Sequence, residues 1–96
     1  MNQMTAPFPL PSFDAAAGDA KERIAQWLRL YIADVLSVTP DSIDAEASFN
    51  QIGLDSSAAV GMTGDLGDWL GRELDAAVAY DHPSIAALAA ALAAER

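Results

Sequence analysis

After Gly18 the apolar residues return at helical steps: Ile24, Trp27, Leu28, Tyr31, Val35 and Leu36, with Ile32 beside them. Steps of three and four place these side chains on one face of an α-helix and do not fit the two-residue period of a strand. A helix of about five turns is therefore expected over roughly 20–37. Asp19 stands where an N-cap belongs, with Glu22 in a capping-box-like position, and Pro40 stops the helix shortly after its end.

The same period recurs further on. Ala59, Met62, Thr63, Leu66 and Leu70 share one face of a second helix, expected from Ser56 to about Leu70 with Gly71 as its C-terminal cap. Gly61, Gly64 and Gly67 each weaken it by about 1 kcal/mol relative to alanine, so packing rather than propensity must hold it. Ile85, Leu88 and Leu92 mark the inner face of a last helix over about 84–94, opened either by Ser84 as N-cap or by Pro83 in the first turn. Leu74, Val78 and Tyr80 leave room for a short helix before it. The connection 38–54 is long for a compact domain; Ile43, Phe49, Ile52 and Leu54 are the apolar pins that keep it ordered, and Gly53 supplies the bend before the second helix.

No segment sustains strand alternation. The expected fold is all-α: a small bundle of three main helices plus a short one, with a long ordered loop between helices one and two. Ahead of Asp19, Pro7, Pro9 and Pro11 exclude a helix or a central strand. Residues 1–18 are expected to form a flexible tail and 19–96 a single domain. Phe8, Leu10 and Phe13 belong to that tail, either folded loosely over the domain or serving as a small docking motif.

Composition removes several functions. The chain has 96 residues, no cysteine and one histidine, so disulfides, thiolate metal sites, a cysteine nucleophile and a histidine cage are excluded. Five Lys plus Arg against fourteen Asp plus Glu give a formal net charge of −9, the opposite of a nucleic-acid footprint. Partners should instead present basic surfaces. The longest apolar run, Ile85 to Ala94, is too short to span a membrane. The N-terminus lacks the basic region of a signal peptide, so a monomeric cytoplasmic domain is expected.

The chemistry gathers at Gly53-Leu54-Asp55-Ser56-Ser57. A serine at a helix start is exposed and lies near unpaired amides and the positive end of the dipole, a place that favours phosphate. For an isolated Asp-Ser pair, a plain N-cap would be the simpler explanation. The surroundings change this. Phe49-Asn50-Gln51-Ile52-Gly53-Leu54-Asp55-Ser56 resembles the F-x-x-x-G-x-D-S signature of acyl and peptidyl carrier proteins. Tyr80-Asp81-His82-Pro83-Ser84-Ile85-Ala86-Ala87-Leu88 is similar to the F-D-H-P-T-I-x-x-L stretch that opens the last helix of polyketide-synthase-type carriers. Two motifs, in order, on a four-helix pattern cover about 20–93.

The resemblance implies a carrier rather than a catalyst. A phosphopantetheinyl transferase, using coenzyme A and Mg²⁺, would attach 4′-phosphopantetheine to Ser56, with Asp55 and Leu54 completing the attachment motif. The thiol of that arm would hold acyl groups as thioesters. They would be supplied by an acyl-loading enzyme, an acyltransferase or adenylate-forming ligase, and passed to a ketosynthase or other condensing enzyme. The Asp-His-Pro-Ser-Ile stretch favours a polyketide or mixed polyketide–peptide pathway. Met1 fits a free-standing carrier, although a carrier excised from a megasynthase has the same pattern. By the same resemblance helix two is the partner surface, here carried by Val60, Gly61, Asp65, Asp68 and Trp69.

Several residues depart from the family pattern. Ser57 replaces a usual leucine, Gly61 a common glutamate, and Trp69 a frequent acidic residue, while Gly64 and Gly67 replace better helix formers. By spacing Trp69 lies off the inner face, either exposed to a partner or laid over the bundle edge. Other chemistries fare worse. His82 is the only available base and the serine lies outside a G-x-S-x-G elbow, so a hydrolase is disfavoured and His82 is read as a turn residue. Asp41, Asp44 and Glu46 lack the glycine and terminal glutamate of a calcium loop. The alternative from another class is an acidic interaction module with a carrier-like fold that is never modified.

Overall fold

The computed structural model describes residues 19–94. The proline-containing segment 1–18, with Phe8, Leu10 and Phe13, and the last two residues lie outside them. Four α-helices follow in order: α1 Ala20–Leu36, α2 Ser56–Leu70, α3 Val78–Asp81 and α4 Ile85–Ala94, with a 3-10 turn at Pro40–Ser42. Among the described residues the only β-type pairing is an isolated bridge between Ser48 and Ser84, so the all-α expectation holds.

The core follows the helical period. Ile24, Trp27, Leu28, Ile32, Met62, Leu66, Ile85, Leu88 and Leu92 are all buried, from the inner faces of α1, α2 and α4. α4 packs directly on α1. Buried alanines on both, Ala33 and Ala89, allow the two backbones to approach. α1 and α2 meet through larger groups: the Trp27 ring stacks on Tyr31 at 5.0 Å and on Trp69 at 5.8 Å. Trp69 therefore lies over the bundle edge, half-buried against Trp27 rather than turned out toward a partner.

The helix ends correct three expectations. Asp19 precedes α1 with φ 46 and ψ 44, in the left-handed region, and its side chain makes no cap hydrogen bond. An N-cap needs an extended backbone to bring its side-chain oxygen over the first amides, so the Asp19–Glu22 box does not form. Only the Asp19 carbonyl is used, accepting from the Arg23 amide at 3.1 Å. At the other end Ser37 makes the stop, not Pro40: Ser37 is left-handed at φ 58 and the Val38 amide reaches back to the Ala33 carbonyl at 3.0 Å. Pro40 instead opens the 3-10 turn. Val35, assigned to the inner face, is exposed because it lies in the last turn, beyond the buried set that ends at Ala33.

The long connection is ordered as expected. Ile43, Phe49 and Leu54 are buried, and Ile52 is half-buried against the core. Arg29 of α1 donates to the carbonyls of Pro40 and Ile43. Ser48 and Gln51 bond reciprocally, amide to side chain in both directions, at 2.9 and 3.1 Å. The loop is then tied to the start of α4: the Phe49 amide donates to the Pro83 carbonyl at 2.8 Å, and the Ala86 amide to the Ala45 carbonyl at 3.0 Å. Ser84 is the cap of α4, its Oγ accepting from the Ala87 amide at 3.1 Å, so Pro83 precedes the helix rather than opening it.

The three glycines of α2 are not equivalent. A Cβ on Gly64 would meet nothing within 4 Å, and one on Gly61 would meet only the Tyr31 hydroxyl at 4.0 Å. A Cβ on Gly67 would lie 2.7 Å from the Arg72 carbonyl oxygen, backbone that cannot retreat cheaply. The Gly67 carbonyl accepts from both the Gly71 and the Arg72 amide, with Gly71 at φ 79. Gly67 thus permits the tight turn that ends α2. Gly64→Ala should raise the free energy of unfolding in urea by roughly 0.5–1 kcal/mol. Gly67→Ala should lower it by about 1–3 kcal/mol, and equal effects at the two positions would refute the distinction.

Candidate functional site

The segment that presents Ser56 is fixed residue by residue. Gly53 makes the bend at φ 96, a conformation that disfavours side chains. Leu54 is buried and its amide donates to the Phe49 carbonyl at 2.9 Å. Asp55 is extended at φ −78 and ψ 175, and its carboxylate accepts from the Ala58 amide at 2.9 Å. Asp55 is therefore the N-cap of α2, and Ser56 is the first helical residue, exposed to solvent. The first amides of an α-helix have no intrahelical acceptor; the Asp55 carboxylate takes that of Ala58, and no acidic residue lies within the first turn itself. An anion covalently held at Ser56 would sit at the favourable end of the helix. Ser57 is exposed beside it.

A groove of about 390 Å³ opens next to this serine. Phe49, Leu54, Ala59 and Ala79 form its apolar interior, and Ser56 lies on its lining. Val60 of α2 and Tyr80 of α3 also line it, exposed at 48% and 69%, so two large apolar side chains flank the groove in contact with water. Tyr80 is the residue that sequence reasoning did not assign to the site. Its place directly before Asp81-His82-Pro83 was visible, but the period of a four-residue helix is too short to say which way a side chain faces.

The other expected site residues divide. Gly61 and Asp68 are exposed on α2. Asp65 is not a free surface charge: it is half-buried and its Oδ2 accepts from the Tyr31 hydroxyl at 2.7 Å. Trp69 points back onto Trp27. His82 ends α3 with its amide on the Val78 carbonyl at 3.0 Å, the turn role expected of it. In the loop, Asp44 accepts from the Glu46 amide at 2.9 Å. Among the described residues no group of three or more His, Cys, Asp or Glu side chains is placed to hold a metal ion, and no helix is long and apolar enough to cross a membrane.

A short helical bundle whose second helix begins with a capped, exposed Asp-Ser is the architecture of a carrier domain. The chain belongs to the phosphopantetheine attachment site family, whose sequence pattern matches residues 26–92. The prosthetic group of that family is 4′-phosphopantetheine. The chain is 43% identical over 74 residues to the acyl carrier protein TtuC of Teredinibacter turnerae, a match covering 77% of this chain and 85% of TtuC. It is 34% identical over 86 residues to the polyketide synthase ThaG of Burkholderia thailandensis, covering 90% of this chain but only 2% of that protein. Its fold is similar to a free-standing peptidyl carrier protein from Acinetobacter baumannii, with a TM-score of 0.76 and 35% identity over 81% of this chain and 98% of that one. The chain is thus a carrier domain related to polyketide-synthase acyl carriers and to peptidyl carriers.

The cap makes a prediction independent of any prosthetic group. Asp55→Ala removes the acceptor for the Ala58 amide and should cost about 1 kcal/mol, whereas Asp55→Asn, also a good cap, should cost only a few tenths. Thermal or urea unfolding of the two variants distinguishes them, and equal losses would show that the charge rather than the cap matters.

Proposed function

We propose that Ser56 is the residue that carries the 4′-phosphopantetheine arm, and that the chain transports acyl intermediates as thioesters in polyketide or mixed polyketide–peptide synthesis. The observation that carries this reading is the position of Ser56: exposed, first in a helix free of acidic residues in its opening turn, and lining an apolar groove. These features fit a phosphodiester followed by a partly apolar arm. The arm's thiol supplies the thioester chemistry, and the protein, having no cysteine, adds no competing thiol. Coenzyme A and a phosphopantetheinyl transferase are its first partners, followed by an acyl-loading enzyme and a condensing enzyme of the synthase, all in the cytoplasm. The chain itself performs no chemistry. Partners meet the outer face of α2 through Val60, Gly61 and Asp65, and Tyr80 beside the groove, while Asp68 adds only to the charge that draws them.

Incubation with coenzyme A and a broad-specificity transferase should add the mass of one arm to the wild-type chain and to Ser57→Ala, and none to Ser56→Ala. An unmodified wild-type chain would favour the acidic interaction module instead. Modification of Ser56→Ala would place the arm elsewhere.

The charge gives a second test. At −9 the chain attracts a basic partner surface over a distance set by salt. Raising ionic strength should slow loading at low carrier concentration and change it little at saturation, because steering acts on the encounter rate. Loading that is indifferent to salt would mean that apolar contacts at Val60 and Tyr80 select the partner.

A further inference from the structure

Asp65 and Asp68 stand three residues apart on α2 with the same charge, yet the structure treats them differently. Asp68 is exposed. Asp65 is half-buried and held by a residue 34 positions away in sequence, Tyr31 of α1, through a hydrogen bond of 2.7 Å. Tyr31 is only 9% exposed, and its ring lies against Trp27 at an interplanar angle of 17°, which fixes the donor in place. Burial first, and then the hydrogen bond and charge of Asp65, push the loss of the Tyr31 proton above the ordinary tyrosine range, so the hydroxyl is a donor at neutral pH.

A carboxylate accepts at two oxygens, and Tyr31 engages one of them, Oδ2. The turn before Asp65 carries Gly61, and an atom added there would still be 4.0 Å from the Tyr31 hydroxyl. No side chain of Gly61 or Gly64 covers the carboxylate from outside.

We propose that Tyr31 is a positioning residue for partner recognition: from the inner face of α1 it holds the Asp65 carboxylate in one orientation on α2, so that Asp65 meets a basic side chain of a partner enzyme as a fixed acceptor, while Asp68 contributes only diffuse charge. This rests on the reading of α2 as the partner face. The physical reason is the ordering cost of docking. A free aspartate must give up rotamer freedom when it pairs, whereas one already held has little left to lose. A charge-assisted hydrogen bond also depends on direction, while long-range steering depends only on charge and salt.

The test is the kinetics of phosphopantetheine loading on the full chain with a broad-specificity transferase, comparing wild type with Tyr31→Phe, Asp65→Asn, their combination, and Asp68→Asn. Tyr31→Phe should raise KM roughly three- to tenfold, the ordering cost of one side chain, with kcat and the salt dependence unchanged. Asp65→Asn should raise KM at least as much, and adding Tyr31→Phe to it should do nothing further. Asp68→Asn should flatten the salt dependence and leave KM at high salt as in wild type. A merely structural Tyr31 would lower the thermal midpoint while leaving KM alone, and that result overturns the proposal. If Tyr31→Phe fails to fold, the two aspartate variants decide: equal behaviour of Asp65→Asn and Asp68→Asn at high salt refutes it. A wild-type chain that accepts no arm overturns the proposed function and this inference together. Normal loading of wild type, with unchanged KM in both Tyr31→Phe and Asp65→Asn, overturns the inference alone.

Discussion

The amide of Phe49 donates to the carbonyl of Pro83, and the Ala86 amide to the carbonyl of Ala45. The geometry of the site depends on this short pairing between the long loop and the start of α4. Arg29 and the buried Ile43 hold the first part of the loop, and this pairing holds the part that leads into α2. With it, Phe49 is buried, the Leu54 amide returns to the Phe49 carbonyl, and Asp55 is delivered in the extended conformation that an N-cap requires. Pro83 can take part because only its carbonyl is needed; its missing amide hydrogen is no loss. Phe49 and Pro83, joined by this pairing, both line the groove beside Ser56.

How much of this can be read from the sequence depends on the range of the interactions. The bounds of α2 were legible because both ends are local devices: Asp55 caps the start and Gly71 supplies the left-handed stop. The inner faces of α2 and α4 followed from period alone. Asp19 failed because its residue type fits a cap while its backbone does not. Ser37 was missed because a left-handed stop without glycine has no strong sequence mark. The reciprocal pair Ser48 and Gln51 carried the S-x-x-Q signature and could have been found. The remaining surprises are long-range. Nothing near Asp65 in sequence announces Tyr31, nothing near Trp69 announces Trp27, and Gly67 reads as a weak helix former until the returning Arg72 backbone is seen above it. The groove belongs to this last group, since its walls come from the loop, α2 and α3.

The two contacts of α1 differ in kind. Against α4 it packs closely through apolar side chains, a contact that resists salt and pH alike. Against α2 it presents Trp27, stacked on Trp69, and Tyr31, whose hydroxyl reaches the Asp65 carboxylate. The contact with α4 supplies core, and the aromatic contact ties α1 to the helix that carries Ser56.

α2 is consequently held from beneath at three places. The loop holds its start through Leu54 and the Asp55 cap, Tyr31 and the aromatic stack hold its middle, and the paired amides of Gly71 and Arg72 on the Gly67 carbonyl hold its end. Its inner face is completed by Met62, Leu66 and Thr63, whose hydroxyl is satisfied by the Ala59 carbonyl at 2.9 Å. Apart from the Asp55 cap, none of these anchors uses a fully exposed side chain. Positions 57, 60, 61, 64 and 68 are all exposed, so changes there cost the fold little. Asp65 and Trp69 are the exceptions on that surface, because each reaches inward and a change there alters the support of the helix as well as its face.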